Sequence, residues 1–179
     1  MSAIAFTVLV GLVGLERVAE LVVSTRNVRW SKARGGIEVG QRHYLVMVLL
    51  HTALLVGALV EVWTTDRSFV PALGWTMLAL VLASQALRWW CISTLGRQWN
   101  TRVVVVPGLP RVSGGPYRWL PHPNYVAVVV EGLALPLVHS AWVTALVFSG
   151  ANLVLLRHRI RVEETALQQL DRGPARQPA

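Results

Sequence analysis

The chain has 179 residues, of which 54% are hydrophobic and 15% charged, and its mean hydropathy is +0.49. A soluble domain of this length could not bury so much apolar surface, so the composition excludes an ordinary soluble protein and indicates a membrane protein. The formal net charge of +8 is carried between apolar runs, which membrane topology explains better than nucleic-acid binding. The single cysteine, Cys91, excludes an intramolecular disulfide and a Cys-rich metal site.

Four long apolar stretches predict about five membrane-spanning helices. The first three each have about 20 residues, the length that a helix needs to cross about 30 Å of hydrocarbon; they are residues 3–23, 44–63 and 69–90. The fourth, residues 125–156, is too long for one ordinary span, and Pro136 with the pair His139-Ser140 interrupts it. We therefore expect a helical hairpin with arms at 125–138 and 140–156, the first of them short.

The basic residues predict the orientation of these helices. Of the 17 lysines and arginines, 15 lie in segments 24–43 and 88–124 and from residue 157 onward. The positive-inside rule places these segments in the cytoplasm and the N-terminus outside, in the inner or cell membrane. Residues 1–171 are predicted to form a single membrane-embedded domain, and residues 172–179, rich in Pro and Arg, a disordered tail.

The loop before the fourth apolar stretch contains the first candidate site. Its segment 103–106 is four consecutive valines, which indicates a short strand or a segment lying against the bilayer. Pro123 suits the first turn of the next helix, where its missing N–H costs nothing. His122 then lies beside a helix N-terminus, whose free amides favour an anionic group such as a carboxylate. The alternative is simply a helix start with a histidine at the lipid boundary.

A second polar cluster, residues 157–164, follows the last apolar run. Arg159 and Glu163 are four residues apart and Arg161 and Glu164 three apart, so both pairs can form on a helix. One interpretation is a solvated basic helix end that anchors the protein at the lipid headgroups. The other is a ligand site, in which the carboxylates bind an ammonium group or ribose hydroxyls.

Several polar residues are predicted to lie inside the apolar stretches. Glu131 shares a helical face with Asn124, and a carboxylate in hydrocarbon must face protein or a polar cavity. It is therefore either a ligand-binding residue or a buried partner for an arginine such as Arg88 or Arg17. His51 is interpreted as a hydrogen-bonded packing residue, because the five histidines lack zinc-ligand spacing. No metal site is expected. The polar stripe of Glu16, Arg17 and Glu20 is interpreted as forming interhelical ion pairs.

Nucleotide-binding motifs of the common kinds are absent from the sequence. It contains no Gly-x-Gly-x-x-Gly after a strand, no phosphate-binding Gly-Lys-Ser/Thr loop and no Gly-x-Ser-x-Gly elbow. Any nucleotide-like cofactor is therefore expected in a non-Rossmann pocket, on the cytoplasmic face of an all-α integral membrane protein.

Three segments together resemble the isoprenylcysteine carboxyl methyltransferase family. They are Gly115-Pro116-Tyr117-Arg118, His122-Pro123-Asn124-Tyr125, and Arg159-Ile160 followed by Glu163-Glu164. Their order and spacing cover roughly the C-terminal half of the chain. Two further segments, 95–100 and 16–27, resemble a subgroup of small bacterial members.

The resemblance implies a membrane methyltransferase that uses S-adenosylmethionine. By this resemblance His122, Pro123 and Tyr125 would contact the cofactor. Glu163 or Glu164 would hold its amino-acid or ribose end, and Arg159 would organise the site. The sequence departs from the family at Pro121, where arginine usually precedes His-Pro, and Arg118 is the candidate substitute.

The acceptor is the least defined part of the predicted reaction. A carboxylate is ionised at neutral pH and needs no base, whereas a phenol or enol with a pKa near ~10 needs a proton acceptor or local positive charge. Small bacterial relatives resemble enzymes that O-methylate alkyl-phenol or alkyl-pyrone lipids, so we expect a lipid hydroxyl. Arg97, Asn100 and Glu131 are the catalytic candidates.

Other functions stay open at this point. They are carboxyl methylation of a prenylcysteine-like substrate, N-methylation of a lipid amine, and a non-enzymatic transporter or assembly protein with Glu131 and Arg88 lining a polar path. The expected partners are a lipophilic small molecule and membrane lipids, without nucleic acid. Homo-oligomerisation is left open.

Overall fold

The computed structural model describes residues 1–39, 41–110 and 112–171. In these residues it has five α-helices: α1 (Ala3–Lys32), α2 (Gln41–Thr64), α3 (Pro71–Leu95), α4 (Pro123–Leu137) and α5 (Trp142–Asp171). Strands β1 (Ile37–Val39) and β2 (Val103–Val105) form a two-stranded antiparallel sheet, and 3₁₀ turns cover Gly96–Gln98 and Gly115–Arg118. A small sheet is thus added to the predicted helices. Arg111 and the predicted tail at 172–179 lie outside the described residues.

The helices match the predicted spans in number but are longer on the side of the sheet. Two stretches, Tyr44–Thr64 and Pro71–Gln98, are long and apolar enough to cross a bilayer. Helices α1 and α5 have 30 residues each and continue well beyond the spans predicted at 3–23 and 140–156. The mostly helical architecture with two candidate membrane spans is therefore observed, and five complete crossings stay a prediction.

Hydrogen bonds to the loop after α3 hold the extended end of α1. The side chain of Asn27 donates to the carbonyl oxygens of Gly96 (3.1 Å) and Trp99 (2.7 Å). One turn earlier, Ser24 Oγ accepts a 3.0 Å hydrogen bond from the amide of Thr101. These buried contacts satisfy loop carbonyls and amides that the 3₁₀ turn leaves free, so the loop is fixed against α1.

The sheet closes the same end of the molecule and is held by charge. Strand β2 is the valine segment, and its partner β1 pairs with it through Ile37 and Val105 at one end. The carboxylate of Glu38, the middle residue of β1, accepts hydrogen bonds from Lys32 and from Arg102, each at 2.8 Å. The hydrogen bond from Lys32, followed by that from Arg102, lowers the pKa of Glu38 below its ordinary value.

The predicted hairpin is present, with α4 and α5 joined by residues 138–141. Pro136 lies in the last turn of α4, where its carbonyl accepts from the amide of Ala141 at 3.0 Å. Across the bundle, the buried carboxylate of Glu61 on α2 accepts from the amides of Val143 (3.1 Å) and Thr144 (2.8 Å). Glu61 thereby satisfies free N–H groups at the start of α5, which stabilises the hairpin.

The apolar core fills the end of the bundle opposite the sheet. Five of its large members are at most 2% exposed: Phe6, Val10, Val81, Leu135 and Val138. Large apolar side chains outside the core are exposed along α1, α2 and α5, as lipid-facing surfaces are.

Candidate functional site

A cavity of about 820 Å³ lies between the core and the sheet. All five helices line it, together with the loop that contains β2. At the sheet end its walls carry most of the polar residues that the sequence motifs single out. Toward the core its walls are apolar, with Val18 and Leu55 among them.

The first part of the site is a cluster where α4 begins and α5 approaches it. Tyr125 donates its hydroxyl to Glu163 Oε2 at 2.6 Å, and its ring stacks on His122 with 5.4 Å between centroids. Nε2 of His122 lies 3.4 Å from a carboxylate oxygen of Glu164. The motifs at the start of α4 and the end of α5, 38 to 42 residues apart, therefore meet in space.

Arg159 ties this cluster to two further elements. Its guanidinium carbon lies 6.0 Å from the centre of the Tyr125 ring, and one nitrogen donates to the carbonyl of Thr101 at 2.7 Å. Another nitrogen lies 2.6 Å from the sulfur of Met47 on α2. The residue is 7% exposed, and its Nε is buried without a partner in the described part of the chain. Arg159 thus connects the cluster on α4 and α5 to α2 and to the loop after α3.

The start of α4 is built as the proline predicts. His122 occupies the N-cap position without capping the helix through its side chain, and Pro123 is the first helical residue. The rings of His122 and Tyr125 line the cavity, whereas Pro123 is buried behind them. Asn124 also lines the cavity, and its Oδ1 is buried without a partner among the described residues.

Pro121, which stands where the family usually has arginine, and its candidate substitute Arg118 lie in different surroundings. Pro121 lines the cavity, while Arg118 is exposed at the end of its 3₁₀ turn and does not reach the lining. Gly115 begins that turn at φ 55°, and a Cβ there would lie 2.4 Å from Oγ1 of Thr94. The turn presents Tyr117 to the cavity, and burial followed by the neighbouring Cys91 raises the pKa of the Tyr117 hydroxyl.

The three catalytic candidates are placed differently from one another. Asn100 lines the cavity, and its Oδ1 is buried without a partner in the described residues. Arg97 is exposed in the 3₁₀ turn after α3, outside the lining. Glu131 is buried behind the cavity wall, where it forms ion pairs with Arg88 and, at 3.5 Å, with Arg17. Of the three candidates, Asn100 is thus the one that lines the cavity.

A buried charge network lies along the middle of the cavity. Arg17 pairs with Glu20 at 2.8 Å and with Glu16 at 3.3 Å, and Arg88 lies within α3, 3.6 Å from Glu20. Arg88 is 4% exposed. It is therefore not one of the cytoplasmic loop arginines that the charge pattern predicts in segment 88–124. Arg17, Glu20 and Arg88 contribute to the lining.

Other cavity residues carry no recognisable motif. His51 on α2 and Asn152 on α5 both line the cavity, and the Oδ1 of Asn152 is buried without a partner in the described chain. Thr101 and Met47 hold Arg159. The sequence offered one signal for His51 and Asn152, a polar side chain within an apolar helix. That signal could not show that the two residues line the same cavity.

The fold and site define a helical membrane protein with an internal ligand cavity, polar at one end and apolar at the other. A family model for the isoprenylcysteine carboxyl methyltransferase (ICMT) family matches residues 77–169, which include both halves of the polar cluster. The chain belongs to this family. Membership implies a membrane methyltransferase with S-adenosylmethionine as methyl donor.

Two bacterial proteins are similar along most of their length. Uncharacterized protein YpbQ of Bacillus subtilis (strain 168) is 39% identical over 165 residues, covering 92% of this chain and 97% of the relative. An uncharacterized protein of Haemophilus influenzae is 27% identical over 157 residues, covering 86% and 90%. No solved structure matches the chain significantly.

Proposed function

We propose that this protein transfers a methyl group from S-adenosylmethionine to the hydroxyl oxygen of a lipophilic acceptor, an alkyl phenol or alkyl pyrone. The observation that carries the proposal is the continuity of the cavity. One space of about 820 Å³ extends from the His122, Tyr125 and Glu163 cluster to the apolar side chains of α1 and α2. Donor and acceptor could therefore meet inside the protein, away from water.

The polar cluster fits the chemistry of the cofactor. Glu163 and Glu164 complement an ammonium group and ribose hydroxyls, and the Nε of Arg159 and Oδ1 of Asn124 are buried hydrogen-bonding atoms still without partners in the described chain. The aromatic faces of His122 and Tyr125 suit a cationic ligand. When bound, the cofactor supplies an electrophilic methyl group on a positively charged sulfur.

The opposite end of the cavity fits a lipid tail. Val18 lines the cavity yet is 58% exposed, and Thr52 on the neighbouring helix is also both a lining and an exposed residue. Near the core the two helices approach closely, since a Cβ at Gly14 would lie 3.7 Å from Leu55. We infer that the acceptor enters from the bilayer between α1 and α2, below this contact, where Val18 and Thr52 are both lining and exposed.

The rate enhancement then comes mainly from positioning the acceptor and excluding water. We place the polar cluster on the cytoplasmic side, because the loops and helix ends around it carry most of the basic residues. The cofactor is a cytoplasmic metabolite, which agrees with this orientation.

Cofactor binding tests the donor half of the proposal. In detergent-solubilised protein, calorimetry is expected to detect S-adenosylmethionine binding that His122→Ala and Glu163→Ala each weaken at least about tenfold, the effect of losing one charged hydrogen bond. Thr165→Ala, an exposed change on the same helix, is the matched control and keeps the wild-type affinity. Folded protein without detectable binding would reject the proposal.

Lipid extracts test the acceptor half. Mass spectrometry of membranes with and without the protein is expected to show a lipid that gains one CH₂, with the new methyl group on oxygen. A methyl group on nitrogen would identify a lipid amine as acceptor, and a methyl ester would identify a carboxylate. Either result would overturn the assignment of a hydroxyl while leaving a methyltransferase.

A further inference from the structure

His51, in the middle of α2, lines the cavity. It has no part in the polar cluster of His122, Tyr125 and Glu163 that we propose binds the cofactor, called the cofactor cluster below. Its Nδ1 lies 2.8 Å from the carbonyl oxygen of Met47. A carbonyl oxygen only accepts, so Nδ1 carries the proton in this hydrogen bond. The neutral ring then has its lone pair on Nε2, which forms no hydrogen bond within the described residues. The backbone therefore fixes His51 in the tautomer that can take up a proton at Nε2.

The position of His51 is between the two ends of the cavity. Met47, one turn earlier on α2, contacts Arg159 of the cofactor cluster. His51 therefore lies about 6 Å deeper along the helix axis, given a rise of about 1.5 Å per residue. Its ring packs edge-on against Phe148 at 5.3 Å, and Asn152 follows on the same face of α5. Beyond His51 the wall becomes apolar, so its nitrogen stands where the head of a lipid acceptor meets the donor end.

Charged side chains of both signs lie around His51. The network contains two arginines, Arg17 and Arg88, and three glutamates, Glu16, Glu20 and Glu131. Arg17 and Glu20 approach His51 from α1, Arg88 from α3 and Glu131 from behind the wall on α4, while α5 contributes Phe148 and Asn152, with Arg159 further toward the sheet.

We propose that His51 is the proton acceptor of the reaction, and that the natural acceptor is a protonated phenol or enol rather than a carboxylate. This inference rests on the proposed methyltransferase function. The acceptor oxygen forms its bond to the methyl carbon while the carbon–sulfur bond breaks and its electron pair stays on sulfur. The hydroxyl proton passes to Nε2 of His51, and then to water once the methyl ether leaves.

Two acceptors with the same tail but different acidity test the proton transfer. One is 3-pentadecylphenol, whose hydroxyl is protonated at neutral pH, and the other is a nitro-substituted analogue that is largely ionised at the slightly alkaline pH of the assay. For His51→Gln we expect kcat/KM to fall about 10²-fold or more with the protonated phenol, the usual size of a general-base effect. With the ionised phenol it falls less than about threefold, because no proton remains to be removed.

A second readout needs neither the methyl donor nor turnover. The phenolate of the nitro-substituted lipid has its own absorption band, so its ionisation can be titrated while it is bound to the protein. Wild-type protein is expected to lower the apparent pKa of the bound phenol, since the proton moves to His51, and His51→Gln to abolish that shift. His139→Gln is the matched control, because His139 is buried but lies outside the cavity lining.

The outcomes separate the two proposals. Equal loss with both phenols, or an unchanged shift of the bound phenol in His51→Gln, overturns the role of His51 and leaves the methyltransferase standing. Normal cofactor affinity in His51→Gln shows that the variant is folded. Wild-type protein that methylates neither phenol overturns the hydroxyl acceptor and the proton acceptor together. Methylation of palmitate in preference to either phenol also overturns both, because a carboxylate has no proton to give to His51, and it leaves the methyltransferase standing.

Discussion

Removing the carboxylate of Glu61 tests how the hairpin of α4 and α5 is anchored. The side chain is 8% exposed and accepts from two backbone amides and one hydroxyl, those of Val143 and Thr144. Glu61→Ala leaves both amides at the start of α5 without their acceptor. At about 1–2 kcal/mol for each buried amide, we expect the free energy of unfolding to fall by about 2–4 kcal/mol. Glu61→Gln keeps one acceptor oxygen, and we expect about half that loss.

The ion pair of Glu61 with Arg67 provides the control. Arg67 lies 3.3 Å away, but its side chain is 36% exposed, so Arg67→Ala is expected to cost less than about 1 kcal/mol. The assay is reversible unfolding in mixed micelles, followed by far-ultraviolet circular dichroism and tryptophan fluorescence. If Arg67→Ala costs as much as Glu61→Ala, or if Glu61→Ala costs under about 0.5 kcal/mol, the capping argument is refuted.

Three other predictions concern packing, the loop and pH. Gly132→Ala would place a Cβ 2.0 Å from the ring of Phe148, so we expect a loss of about 1–3 kcal/mol in the same unfolding assay, reduced in the double variant with Phe148→Leu. Asn27→Ala frees two loop carbonyls, including that of Trp99, and is expected to speed proteolysis of the loop while leaving the helices intact. Glu38 has a folded pKa below its ordinary 4.5, so its stabilising effect is complete above that value and is lost as the pH falls through the folded pKa. Glu38→Gln should therefore flatten the acid side of a plot of Tm against pH.

The sequence predicts local features of this fold better than pairings between distant segments. Pro136 interrupts an overlong apolar stretch and so predicts the hairpin, and the valines of β2 indicate a strand because β-branched residues favour extended backbone. The partner strand at Ile37–Val39 has no comparable pattern, and it pairs across more than 60 residues. The long helix ends were missed because α1 is extended by contacts such as Asn27 with the loop, which hydropathy does not register.

In the candidate site too, the sequence predicts local motifs better than contacts between distant segments. The family motifs locate His122, Tyr125 and Glu163, because their spacing is visible along the chain. His51 is one histidine in an apolar run, and its position depends on how α2 packs against α5. Glu131 could be read as a ligand or as a partner of arginine, and the structure places it in ion pairs with Arg88 and Arg17.

The attachment of Arg159 to Met47 and Thr101 has a consequence for biogenesis. Residues from the second helix, the loop after the third helix and the last helix must all be in place before these contacts of Arg159 can form. If the protein binds its methyl donor as proposed, a chain released after the fourth helix could enter the bilayer but could not hold the donor. Binding competence would then be acquired late in synthesis, and cofactor capture would report that the last helix has been inserted.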